Sequence, residues 1–532
     1  MHTEKALIAV PQSSLFSSCR ALFSALETFY PIRFSSDEGV VPREADAVLL
    51  EKGRGPLALG HPPLPTLEFM APTGRGARSG EARLGVCFED AAGVPRGFAR
   101  RSVVHAPSQP PVLLESVSDQ EVLATINGAP IWVCGGRPGP KHYRMGLALS
   151  EAVGAGPLRE AFRLGSFAPV LALLTFLADV LTKLEWSIPR ARACIIADDP
   201  NLFATRYGHL DYAGLLAHQE TPFHLSVATI PLDSWFAAGR VVRLFHSCSG
   251  RLSLIMHGNN HTHCELDNGG SEEQYRASLG QALRRIERLE ARTGLSVARV
   301  TVAPHDACSL NAIQAMEALG YEGLCIDRPR PWAHANSTGT LLGWGPAEMV
   351  GAFFPVLPRY GIAEPLEELL FRRLLGQPLI LSAHHQDFAS TKGLVQAAIE
   401  FVNSLGDVEW CSVSSIARSN FLSYRMGPVL VVKPFARTLE IPVAQEVSRI
   451  KLDLPAGVVL RAEVFEPGTR LYSGLIDRDA LIPVPRPSRL VLRLSAGSES
   501  RRAGLPKQRT HLWPFLRRAM TYSRDQVHPW LS

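Results

Sequence analysis

The stretch Ala193–Leu202, which reads Ala-Cys-Ile-Ile-Ala-Asp-Asp-Pro-Asn-Leu, limits what this chain can fold into more than any other. Its apolar run, closed by Pro200, predicts a strand buried on both faces, and the carboxylates of Asp198 and Asp199 fall where that strand ends. Adjacent acids are costly to bury unless a metal ion or a proton holds them together. Three later apolar runs end in the same manner. Leu252–Met256 precedes His257-Gly-Asn-Asn-His261, Val297–Ala303 leads to Pro304-His305-Asp306, and Leu379–Ala383 leads to His384-His385-Gln-Asp387. Four strands with acids and imidazoles at their C-terminal ends describe the ligand-bearing face of a parallel (β/α) barrel.

The segments between these runs fit that reading. A helix is expected over Ser271–Arg292, opened by Ser271-x-x-Gln274 and stopped by Gly294. Further helices are expected over Ser309–Leu319 and Lys392–Leu405, with strands at Phe223–Ile230, Gly323–Ile326 and Val408–Val413, and a polar loop over Trp332–Pro346. The fold class is therefore α/β, with an irregular barrel over residues 191–425.

The flanks read differently. In residues 1–152 short apolar runs (Ala6–Val10, Ala47–Leu50, Leu84–Phe88, Val122–Ile126, Pro130–Val133) surround one helical pattern, Cys19–Thr28. Asn127-Gly128 marks a hairpin, and the whole suggests a flavodoxin- or amidotransferase-like α/β domain. Cys87, in Gly85-Val-Cys-Phe-Glu89, lacks the following glycine of a nucleophile elbow and is expected to be a plain buried cysteine. Residues 153–190 form a helical connector. Its most apolar part, Phe167–Leu181, is cut by Asp179 and Lys183 short of the roughly 20 residues a membrane span needs. From about residue 426 the period becomes two, which predicts an antiparallel β-sandwich to residue 498.

The tail, residues 499–532, is basic, with Arg501, Arg502, Lys507, Arg509, Arg517 and Arg518, and carries Trp513, Phe515 and Trp530. It reads first as a solvated arm and second as a peripheral contact for an anionic membrane.

Composition excludes several classes. With 532 residues and 46% hydrophobic content the chain can bury several cores, so it is not disordered. A formal net charge of +5 on this length does not call for nucleic acid. Nine cysteines, an odd number with no Cys-x-x-Cys pair, argue against a disulfide framework. Met1–Val10 lacks the basic and long apolar parts of a signal peptide, so a cytoplasmic location is expected.

The polar clusters suit a divalent metal. A carboxylate with two imidazoles favours zinc, or another first-row divalent ion, with positions open for water and substrate. His257 and His261 are four residues apart, and either Asp198 or Asp199 completes the set, leaving the other as a general base. His261 with Glu265, and His263, remain alternatives inside the second cluster, while the lone thiols of Cys264 and Cys308 are poor zinc ligands.

Taken in order, these clusters resemble the polysaccharide deacetylases, the NodB-homology domain of carbohydrate esterase family four, over about residues 191–420. Ala197-Asp198-Asp199 is similar to that family's first motif. His257-Gly-Asn-Asn-His261 keeps the spacing of the second, with Gly258 where Ser or Thr is usual. Val302-Ala-Pro304-His305 keeps the proline of the third but has Val302 in place of Arg, with Asn311 near the following helix start, and Leu381-Ser-Ala-His384 matches the last.

The resemblance implies Asp199, His257 and His261 as metal ligands, Asp198 as general base and His384 as general acid. The tetrahedral oxyanion would be held by the ion and a backbone N–H near His305. With Val302 in place of the arginine that orients the base, His305 and Asn201 are the nearest candidates for that task. Apart from the resemblance, Asp306, His385 and Asp387 read either as groups that contact the substrate or support the residues around it, or as simple loop caps. The implied activity is removal of an N-acetyl, less readily an O-acetyl, group from a carbohydrate. A glycoside hydrolase on a related barrel and a non-catalytic carbohydrate-binding protein are the alternatives; the first needs two separated carboxylates, which adjacent acids do not supply.

Overall fold

The computed structural model describes residues 5–37, 39–52, 64–70, 83–106, 110–115, 118–136, 139–149, 167–218, 220–327, 343–389, 393–466, 469–484 and 489–495. It also describes 513, 515, 516, 518–520 and 523 in the tail. The chain is a mixed α/β protein that divides into two compact units. One holds Met1–Trp186 with two short later pieces, and the other holds most of Ser187–Ser532.

In the first unit a nine-stranded sheet is parallel at one end, from Ile32–Ser35 through Ala6–Ala9, Ala47–Lys52 and Thr66–Met70 to His142–Met145. It becomes antiparallel through Ala129–Gly135, Glu121–Ile126, Leu84–Phe88 and Ser102–His105. Asn127 and Gly128, at φ 51° and 81°, make the hairpin turn, in the left-handed region that these two residue types accept. The expected strand at Leu84–Phe88 forms, but Cys87 points outward and is exposed, because alternation buries Val86 and Phe88 instead. The helix Ala168–Leu181 is buried along most of its length, and none of the described helices is long and apolar enough to cross a membrane. The rest of the expected connector, up to residue 166, and most of the Trp332–Pro346 loop lie outside the described residues.

The second unit is built on a ten-stranded sheet. Along it run Phe354–Pro358, Gly323–Ile326, Val297–Val302, Leu252–His257, Leu225–Thr229, Arg192–Asp198, Leu379–His384 and Tyr360–Gly361, each parallel to its neighbour. Glu348–Val350 adds an antiparallel edge strand beyond Phe354–Pro358. All seven residues of Arg192–Asp198 are buried, as expected for a strand covered on both faces. Helix Glu272–Thr293 has the full capping box of Ser271 and Gln274 and stops at Gly294, φ 71°.

One segment went unforeseen. Phe354–Pro358 pairs near one end of the sheet and Tyr360–Gly361 pairs at the other, with Arg359 alone between them. A residue spans at most about 3.6 Å of chain, so the sheet must curl until its two ends nearly meet.

The C-terminal strands form two four-stranded sheets in the same unit. Their strands contribute Val432, Leu439, Ile441, Ile450, Leu460 and Leu492 to a single core, which also takes in Phe353. One pair, Val429–Pro434 with Arg449–Leu452, is parallel, so this layer is not antiparallel throughout. Arg437 fastens it to the central sheet's helices by donating to the carbonyls of Glu317 and Tyr321, both at 3.0 Å.

Candidate metal centre and acid–base residues

The C-terminal ends of the parallel strands bring the expected clusters to one end of the sheet. Asp198 ends its strand with its side chain buried, and the backbone then turns sharply. Asp199 has φ 79°, a left-handed conformation that costs a non-glycine residue on the order of 1 kcal/mol. This turn gives the adjacent carboxylates different neighbours.

Asp199 Oδ1 lies 3.1 Å from His261 Nε2 and 3.5 Å from His257 Nε2, and one donor atom from each of the three residues falls within 4.8 Å of the others. Ligands about 2.1 Å from a tetrahedral ion stand about 3.4 Å apart, and the two carboxylate-to-imidazole distances lie close to that spacing. Asp199 Oδ1 is also a buried oxygen with no hydrogen bond of good geometry, the kind of atom a cation satisfies. His257 Nδ1 faces the Val302 carbonyl at 3.2 Å, which turns Nε2 toward the carboxylate.

Charge is distributed accordingly. Burial alone would push the Asp199 carboxyl up, but His257, His261 and the Arg518 guanidinium outweigh it and hold it well below the usual carboxylate range. His257 is also pushed down by burial, yet the facing Asp199 and Asp198 leave it above its ordinary value. Burial, and then the charge of His257, push His261 down to about 3, so that ring is neutral, as a ligand must be.

Asp198 is held from the opposite side. Arg359, 3% exposed, donates from Nη1 to Asp198 Oδ2 at 2.7 Å and from Nη2 and Nε to Asp306 Oδ1 at 2.8 and 3.2 Å. Burial disfavours the guanidinium's charge, but the two carboxylates outweigh that and raise its affinity for the proton. Asp198 Oδ1 has no hydrogen-bond partner among the described residues.

The expectation that His305 or Asn201 orients Asp198 is therefore corrected. Asn201 is buried and its Oδ1 accepts from the Phe203 N–H at 3.0 Å, a local turn bond, while His305 is exposed, its ring 5.2 Å from that of His261 and 5.0 Å from that of His263. Asp306 reaches Asp198 through Arg359, which both carboxylates share.

The second cluster also resolves. Glu265 is buried with its carboxylate accepting from the N–H groups of Asn259, Asn260 and Thr262, so it braces the loop and stands apart from the Asp199 group. Gly258 (φ 56°) is where that carboxylate passes: a Cβ there would lie 1.9 Å from Glu265 Oε1 and 2.6 Å from Pro304 Cγ. His263 is exposed.

On the far side, His384 is paired in register with Asp198 across neighbouring strands and is exposed, and its backbone N–H donates to Asp387 at 2.7 Å. His385 turns inward against Tyr207, ring centroids 5.2 Å apart, and fills the space a side chain at Gly208 would need. Of the nine described non-glycine residues with positive φ, Asp199, His261, His305 and Asp306 all belong to this region, a concentration of backbone strain typical of functional sites.

Two arginines escaped the sequence reading. Arg359 left one trace, a lone charge inside the apolar run Phe353–Tyr360. Arg518 left none. It is not part of a solvated arm: with only 10% of its side chain exposed, it donates from Nε to Asp233 at 2.7 Å and from Nη2 to the Asp199 carbonyl at 2.8 Å. The described aromatics of the tail, Trp513 and Phe515, are exposed.

No protein-family profile matches the sequence, and no curated protein does. Solved structures similar to it include a putative polysaccharide deacetylase from Mycobacterium smegmatis, 17% identical over 43% of this chain and 91% of that one, TM-score 0.31. A family 4 carbohydrate esterase from Streptomyces lividans, in complex with acetate, is 9% identical over 42% and 92%, TM-score 0.25. An exo-type maltose-forming amylase from Pyrococcus sp. ST04 is 10% identical over 43% and 48%, TM-score 0.30. At such TM-scores the likeness is not by itself grounds for a function.

Proposed function

We propose that this protein is a metal-dependent hydrolase that removes the N-acetyl group, less readily an O-acetyl group, from a carbohydrate. The observation that carries the reading is the division of labour between neighbouring acids. Asp199 faces two imidazoles and Asp198 faces a buried guanidinium, so one carboxylate is placed to hold a cation and the other to hold a proton.

Asp199, His257 and His261 would bind the ion, zinc by preference. A divalent ion there supplies Lewis acidity toward the acetyl carbonyl and lowers the pKa of water. With Oδ2 engaged by Arg359, Asp198 Oδ1 is left to take the proton from the attacking water. His384, one strand away, would return a proton to the leaving amine nitrogen, which departs poorly as an anion. The loop after Leu225–Thr229 adds Trp235 and Phe236, 64% and 46% exposed, beside Phe203 with ring centroids 5.7 and 5.4 Å away. Flat aromatic faces at the same sheet end suit the apolar face of a sugar ring.

Acetate release from a panel of N- and O-acetylated sugars, with and without chelator, tests the proposal. Release from an N-acetylated sugar that chelator stops and zinc restores is the expected result. A purified protein that holds no divalent metal and releases no acetate from any of the panel would overturn it.

A further inference from the structure

We infer that Arg518, supplied by the C-terminal tail, is a positioning residue of the metal centre. The inference rests on the reading of Asp199, His257 and His261 as metal ligands.

Three observations converge on Arg518. Its guanidinium is largely buried although the described neighbours Trp513, Phe515, Leu516 and Met520 are exposed, so its side chain is drawn inward where theirs face outward. One nitrogen donates to Asp233, which is 5% exposed and lies on the turn Pro231–Trp235 at the end of a central strand. Another donates to the main-chain oxygen of Asp199, the residue whose left-handed backbone aims its carboxylate at the two histidines.

A strained peptide keeps its conformation only when its surroundings over-determine it, and a guanidinium anchored at one end by a buried carboxylate is a stiff brace for that carbonyl. The turn that carries Asp233 is itself fixed: Leu232 donates to the Asn259 carbonyl at 3.0 Å and Ser234 Oγ to the Arg285 carbonyl at 3.3 Å. Arg518 thus ties the Asp199 peptide to the Pro231–Trp235 turn, which is itself bonded to Asn259, between His257 and His261. A lysine in its place has a single ammonium and no planar fork, and would serve one acceptor at a time.

Titration of metal-free full-length protein with zinc, against a competing chelator, tests this, with folding checked by circular dichroism. Outer partners of metal ligands typically contribute about ten- to hundredfold in affinity. Arg518→Ala is expected to weaken zinc binding by that factor, Arg518→Lys by less, and Asp233→Asn by a factor that does not multiply with that of Arg518→Ala in the double variant. Arg517→Ala, which removes the same charge one position away, is expected to leave affinity within twofold. Unchanged affinity in Arg518→Ala, or an equal loss in Arg517→Ala, would overturn the inference while leaving the metal centre intact. A wild-type protein that takes up no zinc would instead remove the metal reading, and the inference with it.

Discussion

Arg359 serves two acids with one guanidinium, and its removal exposes what each contact does. Taking one partner from a buried ion pair leaves uncompensated charge and costs about 3–5 kcal/mol, so Arg359→Met is expected to lower the denaturation midpoint sharply. Arg359→Lys can reach only one of the carboxylates; zinc stoichiometry should hold while acetate release falls at least tenfold, and normal turnover would show that Asp198 needs no brace. Gly258 gives a second residue-scale test. Gly258→Ser would bring in the residue type usual in the resembling family, yet it forces a Cβ onto Glu265 at positive φ, so it should cost at least about 1–2 kcal/mol by chemical denaturation. A neutral result would mean that the Glu265 carboxylate does not occupy that space. These residues also mark how far sequence alone could reach. The Asp199, His257 and His261 cluster was readable because acids and imidazoles at the ends of apolar strands stand out in a sequence. Arg359 was not, because a brace can come from any strand that passes nearby, here one 161 residues from the acid it holds.

At the scale of elements, the strands that carry one uninterrupted apolar run were readable, and so was the long helix with its two caps. The segment Phe354–Gly361 was not, since Pro355 and Pro358 argue against a strand. It survives as one because it lies near one edge and changes partners at Arg359. The strand Ser102–His105 carries a separate consequence. His105 is buried, its ring edge-on to Phe167 at 5.4 Å, and burial pushes it down to about 4 from an ordinary 6.5. The unfolded chain therefore binds this proton more readily. The stability that the neutral ring contributes is fully present above about pH 6.5 and is lost as pH falls toward 4, by about 3 kcal/mol in all. Between pH 8 and 4.5 the first unit's denaturation midpoint should fall more steeply in wild type than in His105→Phe; parallel profiles would show that His105 titrates normally.

The whole molecule consists of two compact units, and only one holds the candidate metal centre. Zinc at a hundred times its dissociation constant adds about 2.7 kcal/mol to whatever binds it. Melting followed with chelator and then with excess zinc should therefore move the transition of the unit that begins at Ser187 and leave that of Met1–Trp186 in place. A shift of the first unit alone would put the metal elsewhere. The curled sheet has a further consequence, one about time. The residue that prepares Asp198 sits where the sheet's two ends are joined, so it reaches its place only when strands on both sides have found their partners. A chain caught with either side unpaired already possesses both aspartates and both histidines, but Asp198 lacks the guanidinium that holds it. In the mechanism proposed above, the brace on Asp198 therefore exists only once the sheet has closed on both sides, so catalysis and closure would be gained together.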